Sequence, residues 1–136
     1  LRRSRGLGDV YKRQIFNNLT SYLIAEGDGR NSTAGVTFFA DVSNPAVYAP
    51  AFAKMAAKMS EEAFGGNSYV LRAQHLGNGN STHSVSVSFD DAAAALEFLA
   101  NYPNTVQFQE FVQEAGTSFQ PGLSFMTINL LDYNPD

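Results

Sequence analysis

Two segments of the chain alternate apolar and polar side chains at the two-residue period of a half-buried strand. In residues 35–42 (GVTFFADV) the even-numbered positions form one apolar face, whereas Thr37 and Asp41 lie on the other. In residues 83–89 (HSVSVSF) every second residue is a serine. Residues 69–76 are predicted to form a hairpin with 83–89, because the intervening GNGNST sequence strongly favours a turn.

Two longer segments carry apolar residues at helical spacing. The first follows Ser43-Asn44-Pro45, a sequence in which capping side chains precede a proline, and it is predicted to extend to about residue 63. Pro50 falls within the first turns of this helix, where it is expected either to kink the helix or to mark the start of its regular part. The second begins after Asp90-Asp91, with a predicted buried stripe of Leu96, Leu99 and Tyr102, and it continues beyond Pro103. The continuation carries Phe108, Phe111, Val112 and Ala115.

The order of elements is therefore strand, helix, strand, strand, helix, strand, the last strand being predicted at residues 123–131. Right-handed crossovers then favour two split βαβ units. We expect an α+β, ferredoxin-like βαββαβ domain, with a four-stranded antiparallel sheet and both helices on one face. This domain would occupy residues 34–133, followed by a tail at 134–136. Upstream, residues 15–33 contain a strand and a loop, a pattern compatible with the remnant of a preceding repeat.

The first fourteen residues, LRRSRGLGDVYKRQ, differ in composition from the rest of the chain. Residues 4–14 resemble a translated transposase sequencing adapter. We therefore interpret residues 1–14 as a non-native, disordered leader and set them aside. The alternative is a genuine basic arm for nucleic acid or a membrane surface.

Setting the leader aside changes the charge of the protein. The leader contains five of the nine basic residues and one of the thirteen acidic residues, so four basic and twelve acidic residues remain, a formal net charge of about −8. Such a domain repels phosphate backbones and anionic lipid, and nucleic acid or membrane partners are not expected. The absence of cysteine excludes disulfides, thiolate metal sites and cysteine nucleophiles. The compartment is left open.

The predicted last strand, LSFMTINLL, is apolar on both faces. A sheet covered by helices on one side only would leave one of these apolar faces in water. A second copy, packed sheet to sheet about a two-fold axis, would cover it. We therefore expect a homodimer.

At this point the chain resembles a known family. The pattern VTFFADVSNPAVYAPAFAKM, then VLRAQHLGNGNSTHSVSVSFDD, then a closing apolar strand is similar to the dimeric α+β barrel superfamily, which includes antibiotic-biosynthesis monooxygenases. The resemblance covers roughly residues 35–133 and lies in element order. It implies a pocket for a small, mostly apolar molecule between sheet and helices. Some members oxidise such a molecule without a metal or flavin, and others hold haem through a histidine. No catalytic motif of the family can be matched residue by residue.

The candidate pocket residues are largely apolar and aromatic, with one cation: Phe38, Tyr48, Phe52, Met55, Met59, Arg72 and Tyr102. An aromatic and methionine stripe is also what an ordinary core contains. Arg72, if buried, requires a partner such as Asp41 or a ligand carboxylate.

His75 and His83 are the two histidines, and they flank the predicted hairpin turn. In the simplest register they are cross-strand partners on one face, with Cβ atoms about 5 Å apart. Such a pair is able to hold a metal or haem, or to act as acid and base near neutral pH. The sequence places no third ligand beside them, so polar strand-end residues are the competing interpretation. Three functional hypotheses follow: a small-molecule-binding monooxygenase, a non-catalytic structural module or repeat, and a haem or metal protein.

Overall fold

The computed structural model describes residues 19–61, 66–76 and 81–128. The predicted leader at 1–14 and tail at 134–136 lie outside these residues. The described elements, in chain order, are β1 (Leu19–Gly27), β2 (Ala34–Val42), α1 (Pro45–Glu61), β3 (Ser68–Leu76), β4 (His83–Phe89), α2 (Ala92–Asn101), α3 (Val106–Ala115) and β5 (Phe119–Ile128). Short 3₁₀ turns follow α2 and α3.

All strands belong to one antiparallel sheet with the order β1-β3-β4-β2-β5. Strand β4 lies between β2 and β3, and β2 lies between β4 and β5, so each helical connection crosses over one strand. This is the split βαβ arrangement of the ferredoxin-like fold, and the predicted fold class is confirmed. The sheet has five strands instead of the predicted four, because β1 pairs with the free edge of β3. That β1 derives from an upstream copy stays a prediction.

The helices cover one face of the sheet. Alternate residues of β2, β3 and β4 point towards them and are buried: Val36, Tyr69, Leu71, Val85, Val87 and Phe89. They form one core with the inner faces of the helices, including Phe52 and Ala56 of α1. We call the opposite side of the sheet the open face; Thr37, Arg72, Ser84 and Ser86 lie on it by the same alternation.

The predicted helix starts are confirmed. Helix α1 begins at Pro45, and the backbone N–H groups of Ser43 and Asn44 donate to the carbonyl of Ser118. Pro50 lies inside the helix and is exposed. Asp91 caps α2 by accepting from the backbone N–H of Ala94 at 2.8 Å.

Two details of the prediction were wrong. Leu96 is 57% exposed, whereas Phe98 is 5% exposed, because the buried face of α2 passes through Ala95 and Phe98. Strand β5 begins at Phe119, upstream of the expected start at residue 123. The strand includes Pro121, because an edge strand tolerates a proline, and β5 is an edge strand with an irregularity at this point.

No helix in the described part of the chain is both long enough and apolar enough to cross a membrane.

Candidate functional site: an aromatic cavity

A cavity of about 400 Å³ lies between the helices and the inner face of the sheet. Ten of the eighteen residues that line it are aromatic: Phe38, Phe39, Tyr48, Phe52, Tyr69, Phe98, Tyr102, Phe108, Phe111 and Phe119. The other eight are Ala40, Met55, Met59, Val85, Val87, Val112, Gly116 and Pro121. Since none of them carries a formal charge, the cavity offers an apolar environment. We call it the aromatic cavity.

Six of the seven residues proposed from the sequence line this cavity: Phe38, Tyr48, Phe52, Met55, Met59 and Tyr102. Arg72 does not. It alternates with Tyr69 and Leu71 along β3, both of which point towards the helices, so its side chain lies on the open face. There its Nη1 donates to Ser86 Oγ at 2.7 Å, and the guanidinium lies 4.8 Å from the ring centroid of Tyr22.

The rings of the cavity wall contact one another in sequence. Tyr102 packs edge-on against Phe108, with centroids 4.9 Å apart, and Phe108 lies 6.0 Å from Phe111. Phe111 and Phe119 both contact the ring of Tyr48, at 5.5 and 5.1 Å. Offset and edge-to-face contacts of this kind are the favoured geometries of aromatic pairs. The wall is therefore a continuous packed surface rather than a set of separate side chains.

Several residues that line the cavity were not among the pocket residues proposed from the sequence. They nevertheless lie in helices and strands that the sequence pattern does predict. Phe108 and Phe111 are three residues apart in α3, and Val85 and Val87 alternate in β4. Phe98 lies three residues after Ala95 and four before Tyr102, which is the helical spacing that identifies a shared face. What the sequence does not show is that α3 packs against α1 through Lys54–Glu114 and Lys58–Glu110 ion pairs.

Tyrosine hydroxyls are the polar side-chain groups of the lining. Burial raises the pKa of Tyr48 to about 12, and it also raises the pKa of Tyr102. Burial likewise raises the pKa of Tyr69 to about 12, against the opposing effect of a hydrogen bond with the backbone of Gly66. All three phenols are therefore neutral donors near pH 7. Within the described residues the hydroxyls of Tyr48 and Tyr102 make no hydrogen bond.

His83 lies next to the cavity wall. It is buried, its ring centroid is 6.1 Å from that of Tyr48, and its Nδ1 lies 2.9 Å from Thr82 Oγ1. The Thr82 hydroxyl oxygen also accepts from the backbone N–H of Val42. Burial lowers the pKa of His83, so the imidazole is neutral near pH 7. It contacts a lining residue without lining the cavity itself.

The predicted pairing of His75 with His83 was wrong. Ala73, not His75, is the cross-strand partner of His83. His75 lies two residues further along β3, where it is exposed and its Nε2 is 2.8 Å from Ser21 Oγ of β1. Neither histidine lines the aromatic cavity, and the described residues contain no cluster of three or more metal-ligating side chains.

Comparisons with solved structures bear on the fold. A protein described as a major regulator of staphylococcal pathogenesis superposes with a TM-score of 0.58 at 14% identity, covering 82% of this chain and 68% of that one. A Lactobacillus acidophilus protein provisionally described as a monooxygenase gives 0.52 at 9% identity, over 82% of this chain and 49% of that one. An anthrone oxidase-like protein gives 0.51 at 15% identity, over 81% and 52%. The chain has their ferredoxin-like α+β fold.

The chain spans about half the length of the Lactobacillus and anthrone oxidase-like proteins. No protein-family model and no curated protein matches the sequence. The likeness is therefore one of fold alone.

Proposed function

We propose that the aromatic cavity binds a flat, uncharged aromatic molecule and that the protein oxidises this molecule with dioxygen. The observation that supports this proposal is the size and lining of the cavity. Its volume of about 400 Å³ falls in the range of small-molecule sites, about 300–1,000 Å³. An uncharged lining disfavours ionic ligands, because a charge moved from water into an apolar site loses its solvation without gaining a partner.

The phenols define the polar part of the ligand. Tyr48 and Tyr102 contribute neutral O–H donors to a wall that is otherwise apolar. A buried donor left unpaired is costly, so a ligand oxygen at either position adds affinity and orientation. A tricyclic ketone such as anthrone combines a planar aromatic body with one such acceptor.

The proposed reaction converts an activated methylene group of the substrate to a carbonyl. The substrate carbon loses two C–H bonds and gains one oxygen atom, while dioxygen supplies that atom and is reduced to form one water with the two hydrogens. Atoms and electrons balance without a separate reductant. The provisional description of one fold neighbour as a monooxygenase, and of another as anthrone oxidase-like, supports the choice of reaction.

A matched pair of variants tests the binding site. Val112 and Val106 are both exposed valines of α3, at 42% and 67%, but only Val112 lines the cavity. We expect Val112→Trp to weaken anthrone binding about tenfold or more by filling the cavity, and Val106→Trp to leave it unchanged. Binding is measured by fluorescence titration under nitrogen. Equal affinities in the two variants, or equal binding of an anthraquinone sulfonate, would overturn the proposed site.

Turnover is tested separately from binding. Under air, the wild-type protein should convert anthrone to anthraquinone above the uncatalysed rate. Binding without turnover in the wild type would reject the oxidation and favour a binding module.

We also propose that two copies associate through the open face to form a homodimer. Phe125 of β5 is the cross-strand partner of Thr37 and so lies on this face, and it is 47% exposed. Leu123, in the same edge strand, is 81% exposed. Large apolar side chains exposed together on one strand are typical of an association surface.

A further inference from the structure

The open face carries one formal charge of each sign among the described residues. Arg72 is its cation and Asp41 its acid, by the alternation of β3 and β2. The remaining side chains that the described strands present on this side are uncharged. Because only two charged groups lie on this face, their positions constrain how a partner surface packs against it.

Neither group has an ionic partner within the described part of the chain. The other cations beyond the leader are all paired: Arg30 with Asp28, Lys54 with Glu114 and Lys58 with Glu110. Arg72 instead donates to Ser86 and stacks on Tyr22. In a domain with an excess of acidic residues, a cation held in place without a carboxylate calls for an explanation.

The two groups do not pair with each other within one chain. Strand β4 separates β3 from β2. Arg72 is opposite Ser84, and Ser84 is opposite Phe39, so Asp41 lies two residues further along β2. Strand spacings of about 4.8 Å and rises of about 3.4 Å per residue put the two Cα atoms about 12 Å apart. The Ser86 bond also draws the guanidinium in the opposite direction along the sheet.

We propose that Arg72 of one copy pairs with the partner's Asp41 across the dimer interface. The inference rests on the proposed dimer and specifies its register. A two-fold axis that brings Arg72 over the partner's Asp41 necessarily brings Asp41 under the partner's Arg72, so one axis forms two pairs. The guanidinium is already oriented by Ser86 and Tyr22, and its remaining N–H groups are available for a carboxylate.

The same surface offers the apolar contacts that such a pair needs around it. Tyr22 is 70% exposed on one side of Arg72, and Phe125 is half-exposed towards the other edge of the sheet. Contacts of this kind exclude water from an ionic pair at an interface. The pairs therefore fix which parts of the two sheets face each other, while the aromatic side chains supply most of the buried area.

Charge reversal and mixing provide the test, with association measured by sedimentation velocity. Arg72→Asp and Asp41→Arg should each weaken self-association about tenfold or more, because each homodimer then juxtaposes two like-charged pairs. A mixture of the two variants should recover association to within about threefold of the wild type, since both pairs in the mixed dimer are complementary. The double variant should recover in the same way. Glu97→Arg, an exposed change on α2, is the control for altered net charge.

The possible results distinguish a failure of the proposed Arg72–Asp41 pair from a failure of the proposed dimer. A monomeric wild type at tens of micromolar would overturn the dimer and the pair together. A dimeric wild type that both single reversals leave intact would overturn the pair alone. Loss of association that neither mixing nor the double variant restores would show that Arg72 and Asp41 contact other groups. Circular dichroism of each variant establishes that the fold is retained.

Discussion

The ring of Phe98 stacks on the ring of Tyr102, with centroids 5.1 Å apart and an interplanar angle of 11°. Phe98 also contacts Phe89 of β4, at 5.1 Å between centroids. One side chain of α2 thus connects the sheet to the tyrosine that begins the 3₁₀ turn after the helix. The position of this side chain sets one wall of the aromatic cavity.

Truncation of Phe98 should therefore be costly. Phe98→Ala is expected to lower the free energy of unfolding by about 3–5 kcal/mol, as for other buried phenylalanines. Leu96→Ala, two positions away on the exposed side of α2, should change it by less than about 0.5 kcal/mol. Urea denaturation monitored by circular dichroism measures both. A larger effect at Leu96 than at Phe98 would mean that α2 is rotated relative to the structure described.

The fold was predictable because its signals are local. The serine alternation of β4, the turn sequence before it, the proline that begins α1 and the cap Asp91 of α2 each specify an element within a few positions. Element order and crossover handedness then leave few topologies. The fifth strand was not predicted as part of the sheet, since pairing between β1 and β3 depends on residues about fifty positions apart.

The cavity was predictable only in part. The α1 stripe of Tyr48, Phe52, Met55 and Met59 marks an inner face, but the pattern of a core and that of a cavity wall are the same. The difference lies in how closely the helices approach one another, which no single residue encodes. Arg72 was misplaced for another reason: its mid-strand position left the face unspecified until the alternation of β3 was fixed by Tyr69 and Leu71.

Removal of the Tyr48 hydroxyl should weaken the binding of a ligand that has a hydrogen-bond acceptor without lowering the stability of the protein. Tyr48→Phe deletes a hydroxyl that has no partner among the described residues, so the free energy of unfolding should stay unchanged or rise slightly. Affinity for anthrone should fall by up to about tenfold, whereas affinity for anthracene, which has no acceptor, should not change. Competition titrations compare the two ligands. If both affinities fall equally, Tyr48 acts through packing and not as a donor.

His83 should make stability depend on pH below neutrality. Burial lowers the pKa of His83 in the folded protein relative to about 6.5 in the unfolded chain. The contribution of the neutral, buried imidazole to the free energy of unfolding is fully present above about pH 6.5. As pH falls below this value the unfolded chain binds the proton first, so the contribution is lost towards the folded pKa.

The check on His83 compares the free energy of unfolding of wild type and His83→Gln at several pH values between about 7.5 and 5. Wild-type stability should decline more steeply than that of the variant, while His75→Gln, an exposed control, should follow the wild type. Parallel curves for wild type and His83→Gln would contradict the burial of this imidazole.

Methionine methyl NMR tests the central claim most directly. The chain contains three methionines: Met55 and Met59 line the aromatic cavity, whereas Met126 of β5 does not. On titration of carbon-13 methyl-labelled protein with anthrone under nitrogen, we predict that the resonances of Met55 and Met59 shift together and saturably while that of Met126 stays in place. A shift confined to Met126, or no shift at saturating anthrone, would contradict ligand binding in the aromatic cavity.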